Sequence, residues 1–280
     1  MKILPGFMGA VLMLTAIFPL EQAAASSPEA EKIIYAFRDT VYLQTVDDNE
    51  IERLYEKLLI ELEDLAIPSR ELSYRKAQAA YYLGRWYQAP DTVEHVLVFD
   101  DYVRKGRFKK VQASYGRLDE IIALYEESLA LLESYMEEGR DSRSVLLYAE
   151  SLSQLSTLKT LGFLMKNGPK IRPLAEEALA LDAGNVKAQM LLASRYIFSP
   201  EVWGGNPDKG IAMIEAVVAA AGENREDRHN VAVAIGYAHT MAGRWEEAAQ
   251  SFRKALEVYP TNVYALGMLK LSEMGGASGL

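Results

Sequence analysis

From Ser26 onward, apolar residues recur at spacings of three and four, with charges on the intervening positions. Between Asp48 and Leu65, for example, Ile51, Leu54, Tyr55, Leu58, Leu59, Leu62 and Leu65 make one stripe. Asp47, with Glu50 three residues on, marks the start of that helix. Ile67-Pro68 marks its end, because the residue before proline is pushed out of the helical region. No segment alternates polar and apolar residues in the manner of a strand rich in Val, Ile and Thr. The same reading predicts helices near 29–44, 48–65, 70–88, 91–104, 117–138, 142–166, 170–182, 186–198, 207–221, 229–242, 245–258 and 262–273. The fold class is all-α, about twelve helices joined mostly by short connectors that pack neighbours antiparallel.

Position repeats as well as pattern. Ala178-Leu179 precedes Asn185 by seven residues, Val217-Val218 precedes Asn224 and Ala255-Leu256 precedes Asn262 by the same interval. The copies lie 39 and 38 residues apart, and the longer connectors account for the excess over a unit of 34. A period of this size, with two helices per unit, describes an α-solenoid.

Residues His229 to Asn262 resemble a tetratricopeptide repeat (TPR) through Ala232, Ile235, Gly236, His239, Ala248, Phe252, Ala255 and Pro260. The unit from Val186 is similar, with Leu192, Ala193 and Tyr196, then Ile214 and Val217; Gly210 stands where that family usually has alanine. Leu174 to Asn185 resembles the end of another repeat, for which Leu161-Gly162 fits helix A only if the loop is shortened. Leu83, Gly84 and Tyr87 look like a further helix A whose partner carries Ser128-Leu129, some two dozen residues too far along, so that this repeat is split. The resemblance implies a right-handed TPR-like superhelix of antiparallel helix pairs. Its organisation is read as a divergent region at 26–169, repeats with a capping helix at 170–274 and a loose tail at 275–280.

That family binds peptides along its concave face. Carried over, the concave positions are Gln78, Tyr81, Arg85 and Gln88, then Lys187, Met190, Ser194, Ile197 and Phe198, then Asn230, Val233, Tyr237, Thr240 and Met241. Ile197 and Phe198 are expected to pack against neighbouring helices. The groove residues selected are Tyr81, Arg85, Met190, Ser194, Trp203 and Tyr237, with Tyr81, Arg85 and Tyr237 expected to be exposed. Met190 and Ser194 depart from the pattern that clamps a peptide's carboxylate, and the mixture of methionine, aromatic and hydroxyl groups suits an apolar peptide or a small apolar ligand.

Composition narrows the setting. The 280 residues carry a formal net charge of −9, which argues against nucleic acid as partner. Lys2, an uncharged apolar run from Ile3 to Leu20, and Gln22-Ala23-Ala24-Ala25 form an export signal, with cleavage expected near Ala25. The chain has no cysteine, so neither a lipid-bearing cysteine nor a disulfide is available. The expected location is periplasmic or secreted, with no stable membrane anchor after cleavage.

Catalytic chemistry is not indicated. His95, His229 and His239 are too scattered for a metal site, and no nucleophile elbow, zinc-helix motif or cysteine nucleophile is present. No cofactor or metal is expected. One charge anomaly stands out at 102–117, where Arg104, Lys105, Arg107, Lys109, Lys110 and Arg117 occur without an acidic residue. It reads either as a patch for an anionic partner or lipid surface or as a solvated connector in the split repeat. The loop SPEVWGGNPDKG (199–210) lacks the strand and spacing of a phosphate loop. Asn206 and Pro207 fit the start of a helix, and Trp203 is expected to shape one end of the groove.

The function expected is that of an exported scaffold or adaptor binding a protein or peptide partner of the cell envelope on its concave face. The alternative is a ligand-binding accessory of a TRAP-type transport system, since periplasmic TPR proteins of such systems include members with a similar Pro…Gly-Gly…Lys loop. A helical-array enzyme is the third reading. The transport reading predicts an enclosed pocket or pore, and the adaptor reading an open groove.

Overall fold

The computed structural model describes residues 27–105, 107–198, 204–217 and 222–276. The expected export segment, Trp203 and the last four residues lie outside them. Among the described residues there are thirteen helices and no strand: α1 (Pro28–Leu43), α2 (Asp48–Asp64), α3 (Ser69–Gln88), α4 (Val93–Arg104), α5 (Phe108–Ala113), α6 (Leu118–Glu137), α7 (Ser142–Leu158), α8 (Leu161–Leu181), α9 (Val186–Phe198), α10 (Pro207–Glu215), α11 (Arg225–Met241), α12 (Trp245–Val258) and α13 (Val263–Glu273).

The periodic asparagines are helix starts. Asn185 Oδ1 accepts the Ala188 N–H at 3.0 Å, Asn224 Oδ1 that of Asp227 at 3.2 Å, and Asn262 Oδ1 that of Ala265 at 3.0 Å. Each satisfies an amide that the first turn leaves without a carbonyl. Asp47 caps α2 in the same way, and Asp141 with Ser144 forms a reciprocal capping box on α7.

Several boundaries differ from the sequence reading, among them the end of α10, which stops at Glu215 where 221 was expected. The expected helices 142–166 and 170–182 break instead at Lys159-Thr160, where Lys159 is extended and Thr160 Oγ1 caps α8 by accepting the Phe163 N–H. Gly168-Pro169 then runs inside α8, with Asn167 Nδ2 donating to the Phe163 carbonyl one turn before the proline. α11 begins at Arg225, not 229, because Asn224 is its cap. α5 is a short helix with no strong apolar period, and the sequence pattern does not show it.

The helices pair as hairpins: α7 with α8, α9 with α10, α11 with α12, and α13 laid over α12. α7 therefore supplies the helix A that Leu161-Gly162 was expected to provide. α3 pairs with α6 across the inserted α4 and α5, which is the split repeat. Glycines set the closest approaches. A Cβ on Gly236 would lie 2.9 Å from the fully buried Phe252 ring, and one on Gly84 would lie 3.1 Å from the fully buried Tyr125 ring. Only a residue without a side chain lets an aromatic ring fill that space.

The array does not stay open. Two large cores form, one among α1, α2, α3, α6 and α7, the other among α9 to α13, with Val96 and Leu97 of α4 in the second, and a smaller cluster of Val145, Leu146, Ala178 and Ala188 joins α7, α8 and α9. A Cβ on Gly267 of α13 would lie 2.5 Å from Val96 Cβ, so α4 sits directly on the last helix. The end of α1 fastens to the same region. Asn262 Nδ2 donates to the Tyr42 carbonyl (2.9 Å), the Val263 N–H donates to Gln44 Oε1 (2.9 Å), and the Tyr42 and Tyr259 rings stack at 5.0 Å. Tyr259 Oη and Arg225 Nη1 both donate to Asp39. First and last hairpins are thus joined, and the concave face becomes the inside of a ring.

Candidate functional site: a charged cavity inside the ring

Inside the ring lies a cavity of about 140 Å³, lined by side chains from α1, α3, α7, α9 and α11. The Glu226 carboxylate, buried on α11, is its hub. It accepts from Tyr42 Oη at 3.1 Å, Tyr82 Oη at 2.9 Å and Lys187 Nζ at 2.6 Å, and Arg38 Nη1 lies 3.7 Å away. Burial pushes the Glu226 carboxyl up, but Lys187 and Arg38 outweigh it and hold the group below the usual carboxylate range. Behind the lining residue Arg143, Glu71 receives Arg75 at 2.8 Å and Arg143 at 2.7 Å, and Arg143 lies 4.4 Å over the Tyr74 ring. Arg143 and Asn185 also line an adjoining, more open cleft of about 330 Å³, which connects the cavity with solvent.

Glu150, at the inner face of α7, is different. Its carboxylate makes no hydrogen bond or ion pair within the described residues, and burial raises it to about 7. Glu226 and Asp227 push in the same direction, while Lys187 and Arg85 oppose them without restoring the usual value. Half-buried Arg85 sits among Tyr42, Tyr81, Tyr125 and Glu150. The cavity therefore holds satisfied ion pairs and, beside them, an acid whose burial raises it well above the usual carboxylate range.

The sequence-selected residues distribute unevenly. Tyr81 is buried, with ring centroids 5.5 Å from Tyr82 and 5.8 Å from Tyr125, and Tyr237 is buried in the second core. The expectation that both are exposed is corrected: Tyr81 packs against its own helix and its hairpin partner α6, and Tyr237 against the neighbouring helices of the second core. Met190 packs against the second core, and Ser194 Oγ donates to the Leu191 carbonyl at 2.7 Å. Ile197 is buried, as its packing role requires. Trp203 lies outside the described residues, as does the side chain of Phe198. Of the other concave positions, Gln78 and Lys187 do line the cavity. The inner surface is charged, where a mixed apolar groove was expected. Glu150, Arg38 and Arg143 escaped the sequence reading because α7 was out of register there and α1 bears no repeat motif.

The basic segment is partly self-neutralised. Lys105 pairs with Asp101 at 2.6 Å, Lys110 lies 5.3 Å from the Tyr102 ring centroid, and Arg117 pairs with Glu52 and Glu120 at 2.6 Å. Arg107 and Lys109 are exposed, and the side chain of Arg104 is outside what the structure describes. In the long loop, Asn206 caps α10 with Pro207 in its first turn, and Asp208 pairs with Arg244 at 2.5 Å.

A glycine against a buried ring occurs in the α3–α6 and α11–α12 pairs, and an asparagine caps α9, α11 and α13. The architecture is an all-α array of helix hairpins. The chain is similar to the crystal structure of YrrB, a TPR protein with an unusual peptide-binding site, at 15% identity and a TM-score of 0.34, covering 88% of this chain and 100% of that one. No family model matches the chain, and no curated protein matches it.

Proposed function

We propose that this TPR-like chain is a non-catalytic binding scaffold of the cell envelope, and that it takes a cationic group of a peptide or protein partner into the cavity beside Glu150. The observation that supports this is the carboxylate itself, the one acid of the cavity lining without a hydrogen-bond partner among the described residues. A half-buried carboxylate without a hydrogen-bond partner is held above its usual range, and an arriving ammonium or guanidinium draws the acid back to its ionised form. The volume, about 140 Å³, accommodates a chain end or one side chain but not a drug-sized molecule. Arg38, Arg143 and Lys187 are engaged by Glu226 and Glu71, and of these only Lys187 also draws on Glu150, without restoring it to the usual carboxylate range.

Ring closure favours a second reading, the transport accessory. Glu150 would take the ammonium of a small zwitterion, with Arg143 of the same lining beside its carboxylate. Calorimetry separates the two. The scaffold reading expects lysine-ended peptides to bind, with affinity rising through pH 7 and falling at least tenfold in Glu150→Gln. Heat with free amino acids but none with peptides supports the accessory reading. Equal binding by Glu150→Gln refutes both.

A further inference from the structure

The first two turns of α8 form an apolar ridge with no partner in the fold. Leu161 is 70% exposed, Met165 71% and Leu164 42%, and their i, i+3, i+4 spacing puts all three on one helix face. Large apolar side chains clustered at that exposure mark contact surfaces. The surroundings are basic. Residues 151–175 contain Lys159, Lys166, Lys170 and Arg172 and no acid. α5 brings the second basic stretch to the same place: Gln112 Nε2 donates to the carbonyls of Thr157 and Lys159 at 3.2 Å and of Leu158 at 3.1 Å, fastening the helix that bears Lys109 and Lys110 to the α7–α8 turn. Lys159 is engaged by Glu126 and lies 5.1 Å from the Phe163 ring centroid, but Lys109, Lys110, Lys166 and Lys170 are exposed.

We infer that this corner docks the protein peripherally on an anionic phospholipid surface, with Leu161, Leu164 and Met165 entering the headgroup region and the lysines holding the phosphates. The charge contrast supports this occupant. A chain of net charge −9 concentrates acid-free basic stretches around one apolar ridge, and a convex helix end suits a surface more than a peptide or a second copy of an acidic chain. Among the described residues no helix is long and apolar enough to cross a membrane, so the contact is a surface one. The ridge lies on a different helix from the cavity acids, which leaves the two sites testable apart.

The cysteine-free chain allows one reporter at a chosen position. The full chain carrying Met165→Cys with an environment-sensitive fluorophore is titrated with phosphatidylcholine vesicles with and without phosphatidylglycerol. The same label at Met274→Cys, on the C-terminal turn, is the control for any contact made by the apolar N-terminal segment. The expected result is a blue shift at position 165 only, only with the anionic lipid, and suppressed at high salt. Lys109→Glu with Lys110→Glu should raise the lipid needed for half-saturation about tenfold; both are exposed, and circular dichroism checks that the fold is retained. No shift at 165, equal shifts at 165 and 274, or a shift with polyglutamate but not with vesicles would each overturn the proposal, the last reassigning the ridge to an acidic protein.

Discussion

Replacing Glu150 by glutamine removes the ionisation that the cavity resists while keeping the shape of the side chain. In the folded protein this acid is raised from 4.5 to about 7, chiefly by burial. At 1.36 kcal/mol per unit, that amounts to roughly 3 kcal/mol against the ionised form, an upper bound because the cavity adjoins an open cleft. The sign follows from proton binding. Between pH 4.5 and 7 the folded state holds more protons than the unfolded state, so the wild-type acid costs stability progressively as pH rises. Glutamine resembles the neutral acid throughout. The variant should therefore match the wild type near pH 4 and exceed it by roughly 3 kcal/mol at pH 8, or about 6–12 °C in Tm for a chain of this size. His229 acts oppositely: burial lowers it to about 4, so stability is lost as pH falls from 6.5 toward 4. The two terms offset in the wild type, which is why the difference between paired urea titrations is the measurement. A difference that is zero at pH 8, or constant across pH, would refute the placement of Glu150 in a site that disfavours its ionised form.

Other substitutions test the ring and the hairpins. Glu226→Ala leaves Lys187 and Arg38 without their shared carboxylate and should cost roughly 3–5 kcal/mol in denaturant titrations. Asn206→Ala and Asn262→Ala each remove a helix cap, worth about 1 kcal/mol, but Asn262 also bonds the Tyr42 carbonyl. It should cost measurably more, and equal losses would mean that α1 does not hold the ring closed. Gly267→Ala drives a Cβ into Val96 and should destabilise by roughly 1–3 kcal/mol despite its better helix propensity, with amide exchange in α4 accelerated if that helix is displaced from α13.

Much of this molecule is local physics, written directly in the chain. The 3.6-residue period placed most helices, since an amphipathic stripe is a property of one segment. The seven-residue interval from Ala255 to Asn262 and its copies marked where each unit begins, because an asparagine cap acts within its own first turn. Gly236 with Phe252, and Gly84 with Ser128-Leu129 some two dozen residues too far along, betrayed the hairpins. Thr160 against Pro169 shows where local reading fails. Both are helix-boundary signals, and tertiary packing of α8 decided between them.

The site belongs to the other category. Nothing near Tyr42 in the sequence points to Asn262 or Glu226, and nothing near Val96 points to Gly267. Those contacts join residues some 170 to 220 positions apart, and they depend on how small angles between successive hairpins accumulate around the array. The packing of neighbouring hairpins decided the rest: it buried Tyr81 against Tyr82 and Tyr125 and Tyr237 in the second core, brought Glu150 into one cavity with Lys187 and Glu226, and put charge where a mixed apolar groove was expected. A period in sequence specifies each unit, whereas whether the units meet end to end is fixed only by the summed geometry of all of them.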